Sequence, residues 1–266
     1  MENLILIKLG GSLITDKTKP FYARETVIRR LAEEIKEAIG SISGKVIVGH
    51  GSGSFGHVVA AEYQTQKGII DDKSVKGLVE VADAAVRLNR IVIKNFLRIG
   101  LPVFSVAPGS FIIAKKQKPE KFFLRPILQA LHTDLIPVVY GDVILDLERG
   151  CCIFSTEKIL NILAKNFKKD FKVSRIIHCG DTDGVYDDKG NTIPVITQKS
   201  FTKFKKVIGV SRSTDVTGGM LHKVEESLQL ASKTGVEIVI LNGSTPHLLK
   251  QALLGKQVAG TTVCFK

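Results

Sequence analysis

Residues 4–12 read LILIKLGGS, and this stretch decides the fold. A short continuous apolar run is typical of a buried parallel strand, and the glycine pair that follows predicts a tight turn at its carboxyl end. Residues 45–57 read KVIVGHGSGSFGH, a second apolar run that enters a second glycine-rich turn. The repeated order of strand, glycine turn and helix predicts an α/β protein.

The alternation continues to the end of the chain and predicts a three-layer αβα sandwich, with helices on both faces of a mainly parallel sheet. Between residues 192 and 210 the pattern weakens and lysines cluster, which predicts a surface excursion. The predicted strands are 4–9, 45–49, 103–106, 136–140, 175–179 and 237–242, and the predicted helices are 24–39, 75–99, 159–166, 221–233 and 246–254.

The amino-acid composition argues against membrane-spanning, zinc-binding and nucleic-acid-binding proteins. The 266 residues are 44% hydrophobic and 24% charged. No stretch approaches the roughly 18 apolar residues that span a bilayer. The four cysteines lack the spacing of a zinc site, which fits a reducing cytoplasm. The net charge of +12 comes from scattered lysines without interleaved aromatics, so we expect neither a nucleic-acid partner nor a membrane partner.

The two glycine turns predict an anion site. A single glycine pair predicts no more than a turn, but here both turns follow parallel strands and lie beside Lys8, Lys17 or His57. Glycine leaves backbone N–H groups uncovered, so that these groups and a following helix N-terminus bind phosphate oxygens. Neither turn matches the P-loop or the dinucleotide-binding pattern.

Two later segments carry the same chemistry. Residues 179–190 read CGDTDGVYDDKG, with Asp181 and Asp183 after another strand. Residues 213–223 read STDVTGGMLHK and place two glycines and Lys223 at a helix start. Cations, backbone donors and the positioning of two anionic reactants are what phosphoryl transfer requires. The sequence therefore predicts a small-molecule phosphotransferase.

The motifs KLGGS, HGSGSFGH, Gly141–Asp142, TDGVYDD and DVTGGMLHK resemble the amino acid kinase superfamily over nearly the whole chain. The loop that ends in FGH, with His57, is similar to that of the isopentenyl phosphate kinases. The resemblance implies a single amino acid kinase domain, with an acceptor lobe over about residues 1–145 and a nucleotide lobe over 146–266. Two alternatives stay open: a kinase of another small phosphate or phosphonate, of the fosfomycin type, and a non-catalytic nucleotide-binding protein.

The resemblance also implies roles for individual residues. The implied catalytic residues are Lys8, Lys17, His57 and Glu157. The implied ATP-binding residues are Lys8, Gly10, Gly11, Lys17, Asp181, Asp183, Asp215, Gly218, Gly219 and Lys223. Isopentenyl phosphate, or a related small anionic acceptor, would contact His57, Gly141 and the backbone of Gly53, Ser54 and Gly56. Mg²⁺ would arrive with ATP, without a dedicated protein ligand, and the kinase would be a homodimer.

Three further expectations concern individual side chains. Leu78, Val81, Ala82 and Ala85 would line a pocket for the isoprenoid tail, or simply pack in the core. Thr156 and Glu157 stand where the family usually has glycine and aspartate. Glu157 is expected to organise the catalytic lysines, and the Thr156 side chain is expected to sit where the backbone would approach phosphate. His50 is expected to be structural and to bond backbone at the strand end.

Overall fold

The computed structural model describes residues 1–208 and 219–265, without the side chains at 206 and 207. Its strands are β1 (Asn3–Leu9), β2 (Lys45–His50), β3 (Val103–Ser105), β4 (Ile112–Lys115), β5 (Lys118–Phe122), β6 (Ile136–Tyr140), β7 (Asp142–Asp146), β8 (Gly150–Phe154), β9 (Lys172–Gly180), β10 (Val195–Thr197), β11 (Glu237–Asn242) and β12 (Thr261–Cys264). Its helices are α1 (Gly11–Ile14), α2 (Glu25–Ile39), α3 (Gly53–Glu62), α4 (Asp72–Arg98), α5 (Arg125–His132), α6 (Thr156–Phe167), α7 (Gln198–Ile208), α8 (Gly219–Thr234) and α9 (Leu248–Leu253).

A central sheet of eight strands has the order β10-β12-β11-β9-β1-β2-β6-β3. Its neighbours pair in parallel except β11 and β12, so the sheet is mainly parallel, as predicted. Alternate residues of β1 enter different cores: Leu6 packs in the cluster that contains α6 and α8, and Ile7 packs in the cluster that contains α2 and α4. Burial on both faces explains why this strand is a continuous apolar run. The three-layer αβα prediction is confirmed.

The sequence did not predict a second sheet, which has the order β5-β4-β7-β8. Its turns are joined by Asp146, whose buried carboxylate accepts hydrogen bonds from the backbone N–H groups of Lys116, Gln117, Glu148 and Arg149. These bonds hold the β4–β5 and β7–β8 hairpins against each other. Residue 145, the expected lobe boundary, lies inside β7.

All six predicted strands and all five predicted helices are present, with ends displaced by a few residues. The segment 192–210 was expected to be a surface excursion; in its described part most side chains are exposed or half-buried, but the backbone forms regular elements. Residues 195–197 form β10 at the edge of the central sheet, and α7 follows with Phe201 and Ile208 buried. The described helices include none long and apolar enough to cross a membrane.

Candidate active site

Glycine turns follow four neighbouring strands of the central sheet at its carboxyl edge. The turns are tied together by backbone hydrogen bonds: Gly10 donates to Cys179 (2.7 Å), Gly51 to Leu9 (3.0 Å), and Gly243 to Gly180 (2.8 Å). Each turn is therefore fixed to the end of an adjacent strand. Three of the predicted phosphate-binding segments, those after β1, β2 and β9, thus begin at one shared edge, where ligands of open α/β sheets bind.

The turns after β1 and β2 pack directly against each other. A Cβ atom added at Gly11 would lie 2.5 Å from the backbone nitrogen of Gly53, and one added at Gly51 would lie 2.8 Å from that of Gly11. Gly53 also has a positive φ of 49°. These contacts leave no space for side chains. Thr15 joins the turns, since its Oγ1 donates to the Gly11 carbonyl (2.7 Å) and accepts from the Ser54 N–H (3.0 Å).

Two of the backbone donors expected to bind the acceptor are already engaged. The Ser54 N–H donates to Thr15 (3.0 Å), and the Gly56 N–H donates to the Ser52 carbonyl inside the first turn of α3 (3.3 Å). The predicted contact of these two groups with the acceptor phosphate therefore stays a prediction, and it would require each N–H to share or exchange its present partner.

His57 lies in the second turn of α3 and is exposed, whereas the preceding residues Gly53–Gly56 are buried. The helix begins at the glycine turn after β2, so His57 projects from the segment that contacts the Gly10–Gly11 turn. A helix N-terminus carries partial positive charge, which favours an anion near this point. The position suits the predicted contact with an acceptor phosphate.

Lys8 and Glu157 form an ion pair near the end of β1. The Lys8 Nζ lies 2.6 Å from Glu157 Oε1, with the side chains 15% and 14% exposed. Burial would raise the pKa of the Glu157 carboxyl, but the charge and hydrogen bond of Lys8 lower that pKa to about 2. The carboxylate therefore stays ionised at neutral pH. The structure thus brings together the lysine and the acidic residue that the sequence assigned to one site.

Glu157 is presented by the first turn of α6, which begins one residue earlier. Ser155 caps this helix, its side chain accepting a hydrogen bond from the Lys158 N–H (3.3 Å). A carboxylate in the first turn is also stabilised by the helix dipole. The cap and the dipole fix where Glu157 meets Lys8.

Thr156 does not project into the site, so the expectation for its side chain is wrong. Thr156 is 1% exposed, and its Oγ1 donates to the His50 carbonyl (2.6 Å). Its methyl group occupies space beside Gly49, where an added Cβ would come within 2.5 Å of Thr156 Cγ2. Thr156 therefore ties the start of α6 to the end of β2. The Thr156 side chain therefore leaves open the space in which phosphate is expected to approach the backbone.

His50 is structural, as predicted. Ser105 Oγ donates to Asn89 Oδ1 (2.6 Å), so the Asn89 amide nitrogen donates to His50 Nε2 (3.1 Å). His50 Nδ1 must then carry the proton and donate to the Gly51 carbonyl (3.1 Å). Burial lowers the pKa of His50 to about 4, so the imidazole is neutral. This network holds the backbone immediately before residues 51–57, the glycine turn and first helical residues that end in His57, which we call the acceptor loop.

Gly141 and Asp142 lie beside this network. The Gly141 N–H donates to the His50 carbonyl (2.9 Å), and the imidazole of His50 stacks on Tyr140. Burial raises the pKa of the Asp142 carboxyl to about 7, although the Val143 N–H donates to it (2.7 Å). Gly141 is buried, so its predicted contact with the acceptor stays a prediction.

His178 is a residue near the site that the sequence reasoning missed. It lies on β9 in register with Lys8 of β1, so the two side chains share one face of the sheet. Charges on Lys8, Glu157 and Lys223 all act on its imidazole. The available signal was a polar residue that directly follows the apolar pair Ile176–Ile177 near the carboxyl end of the strand.

The nucleotide side is described only in part, because Asp215 and Gly218 lie outside the described residues. Gly219 begins α8, and Lys223 lies one turn later, half-buried. Asp181 is exposed after β9. Lys17 is exposed between α1 and α2, and pairs with none of the described carboxylates.

Asp183 is held in place by its neighbours. Its Oδ1 accepts from the Asn242 amide (2.8 Å), and its backbone N–H donates to the Tyr186 hydroxyl (3.0 Å). A cavity of about 290 Å³ adjoins it, lined by Asp183, Thr192, Pro194, Thr245, Leu248, Val258, Ala259 and Gly260. Among the described residues, the lining of this cavity includes no cation.

The four residues expected to line a tail pocket form one stripe of α4. Val81 (2% exposed) and Ala85 (1%) are fully buried, and Val81 belongs to the core cluster on the α2 side of the sheet. Leu78 and Ala82 are partly buried and pack on the same cluster. The core-packing alternative therefore fits Val81, while Leu78 and Ala82 keep accessible surface.

Comparison with known proteins places this geometry in a family. The amino acid kinase family model matches residues 3–242. Isopentenyl phosphate kinase of Methanocaldococcus jannaschii is 32% identical over 272 residues, covering 98% of this chain and 99% of that protein. The enzyme of the same name from Methanothermobacter thermautotrophicus is 34% identical over 275 residues, covering 99% and 100%. A solved structure of isopentenyl phosphate kinase has a TM-score of 0.81 at 30% identity, covering 97% and 99%.

Proposed function

The chain belongs to the amino acid kinase family, and on that premise we propose that it transfers the γ-phosphoryl group of ATP to isopentenyl phosphate. The products are isopentenyl diphosphate and ADP. The observation that carries the proposal is the contact between two glycine turns, one beside Lys8 and the other followed by His57. Full-length relatives named isopentenyl phosphate kinase support this acceptor.

In this reaction an oxygen of the acceptor phosphate bonds to the γ-phosphorus while the bond to the β,γ-bridging oxygen breaks. The acceptor oxygen is already ionised, so no strong base is required. Catalysis then depends on holding two anions together and on stabilising charge on the transferred group. Lys8 supplies a cation at the end of β1, and Glu157 fixes the position of its ammonium group.

The ATP phosphates lie along the turn after β1 and the start of α8. Lys17 and Lys223 contact the β- and γ-phosphates, and the Gly11 N–H donates to the transferred group. The Gly10 N–H, for which the same role was implied, donates to the Cys179 carbonyl in this structure. A Cβ added at Gly180 would meet no described atom within 4 Å, so there is room beside the end of β9. Lysines and backbone amides are a donor set that suits phosphate oxygens. Mg²⁺ enters with ATP and neutralises phosphate charge when bound.

The acceptor phosphate contacts His57 at the start of α3, together with the backbone of Gly53. Imidazole titrates near neutrality and donates hydrogen bonds to phosphate oxygens. The exposure of His57 leaves it accessible to an incoming acceptor. The isoprenoid tail lies along the accessible part of α4, at Leu78 and Ala82.

A panel of acceptors tests this function. Purified protein with Mg²⁺ and ATP is given isopentenyl phosphate, dimethylallyl phosphate or fosfomycin, and ADP release is measured. We expect the fastest acceptor-dependent release with isopentenyl phosphate. Release with fosfomycin alone would instead identify a phosphonate kinase. ATP binding without ADP release on any acceptor would identify a non-catalytic protein.

A homodimer in the cytoplasm is the expected assembly and location. Two apolar side chains support a paired surface, since Phe104 on the edge strand β3 is 45% exposed and Leu97 near the end of α4 is 54% exposed. Light scattering on the purified protein is expected to give twice the 29.0 kDa of one chain. A mass of one chain would refute the dimer without affecting the proposed reaction.

A further inference from the structure

His178 occupies a central place among the charged groups of the site. It lies on β9 between Lys8 of β1 and Ile240 of β11, its partners in the parallel ladders. Register partners in adjacent strands point to the same face of a sheet. Leu6, Ile176 and Ile238 belong to the core cluster on that face, so His178 and Lys8 stand at the carboxyl edge above this layer.

The elements that surround His178 bring charges of both signs to it. β1 contributes Lys8, α6 contributes Glu157, and α8 contributes Lys223, while β11 contributes the apolar Ile240. Burial lowers the pKa of His178 to about 4; Lys8 and Lys223 act in the same direction, and Glu157 opposes them. The imidazole is therefore neutral in the protein alone, and only half-buried.

The substrates oppose part of this effect. ATP and the acceptor each bring a phosphate to Lys8 and Lys223, the two cations that add to burial in lowering the pKa of His178. Nearby negative charge favours the protonated form of a histidine, and a low-dielectric site strengthens this effect. A group that is neutral before binding is thus positioned to become a cation when both substrates are present.

We propose that His178 takes up a proton when ATP and the phosphate acceptor are bound together, and so adds a third cation beside Lys8 and Lys223 during phosphoryl transfer. This inference rests on the proposed function, because it requires both anions in one site. It assigns His178 a positioning and electrostatic role that a residue filling space between strands does not have.

Calorimetry measures directly how many protons the protein takes up when the ligands bind. A non-hydrolysable ATP analogue and isopentenyl phosphate are bound at pH 7 in buffers of different ionisation enthalpy, which gives the number of protons exchanged. Other groups that bind the phosphates, and the acceptor itself, can also exchange protons, so wild type is compared with His178→Gln. We expect wild type to take up between about half a proton and one proton more than the variant. His132→Gln, on the exposed surface of α5, is the matched control and is expected to match wild type.

Kinetics supply a second readout. We expect His178→Gln to lower kcat on the order of tenfold, less than the about 10²–10³-fold loss when a main stabilising donor is removed. Wild-type kcat is expected to fall as the pH rises above the histidine pKa in the complex, and the variant is expected to lose that limb. Should His178→Gln fail to fold, His178→Asn takes its place.

The outcomes distinguish a failure of the proposed kinase function from a failure of the proposed role of His178. Binding of both ligands with equal proton counts in wild type and variant overturns the role of His178 and leaves the kinase intact. Absence of any binding of isopentenyl phosphate to wild type overturns the proposed acceptor first, and the inference with it. A difference in proton count that disappears when the acceptor is omitted supports the inference.

Discussion

The ends of β1 and β2 are neighbours in the sheet, yet they use side chains in opposite ways. At the end of β1 the chain places an ion pair, Lys8 with Glu157, at a partly accessible position. At the end of β2 it places His50, neutral and fully buried, in a network of uncharged hydrogen bonds. The first end supplies charge to a reaction, and the second supplies rigidity to the loop that carries His57.

The first turn of α6 contacts the ends of both β1 and β2. Thr156 bonds the His50 carbonyl, and the next residue, Glu157, pairs with Lys8. Successive helical residues point about 100° apart, which lets the two side chains reach different strands. We therefore expect Thr156 and Glu157 to act together, because Thr156 anchors the backbone from which Glu157 reaches Lys8.

The largest expected effect comes from removing the charge at the β1 end. Lys8→Met is expected to lower kcat by about 10²–10³-fold, because the transferred group loses a positioned cation. Lys45→Met is the matched control, since Lys45 begins β2 at the opposite edge of the sheet and pairs there with Asp134. Acceptor-dependent ADP release measures both. An equal loss in the two variants would show that the Lys8 effect is structural.

The acceptor loop is expected to give the next largest effect. His57→Ala should raise KM for isopentenyl phosphate by about 10- to 100-fold, since hydrogen bonds to charged groups contribute about 1.5–3 kcal/mol. KM for ATP should stay within about twofold of wild type, because the residue belongs to the acceptor side. Steady-state kinetics with each substrate varied in turn measures this. Equal rises in both KM values would remove His57 from the acceptor site.

Substituting Thr156 and Glu157 together tests whether the ends of β1 and β2 are coupled through the start of α6. Thr156→Gly with Glu157→Asp restores the usual family residues, but it removes the bond to the His50 carbonyl and leaves a gap beside Gly49. We expect a loss of about 1–3 kcal/mol in the free energy of unfolding and no gain in kcat. Glu157→Asp alone is the control. A large gain in kcat would show that this chain is a weakened enzyme.

The last expected effect is a pH dependence of stability that comes from the β2 end. The pKa of His50 is lowered to about 4, so between about pH 6.5 and 4 the unfolded chain binds a proton that the folded chain does not. Stability should therefore fall as the pH falls through this window, by up to about 3 kcal/mol. His50→Gln should flatten the curve in urea denaturation. A slope as steep as that of wild type would contradict the neutral network.

Some parts of the fold and of the site were predictable from sequence, and others were not. Six of the eight strands of the central sheet were predictable because a short apolar run is typical of a strand in a parallel sheet. Lys8 and His57 were predictable because they lie in recognisable motifs. The small sheet was missed in part because β5 (Lys118–Phe122) is exposed at every residue and contains no apolar run. Thr156 was misjudged and His178 overlooked because each depends on strands far away in sequence, whose register no local pattern encodes.

Phosphorus NMR on the complete reaction tests the central claim most directly. Isopentenyl phosphate, ATP and Mg²⁺ are mixed with the protein, and the resonance of the acceptor phosphate is followed. We predict that it is replaced by the two coupled resonances of a diphosphate, in step with the appearance of ADP. ADP formed together with inorganic phosphate, while the acceptor resonance stays unchanged, would contradict the claim.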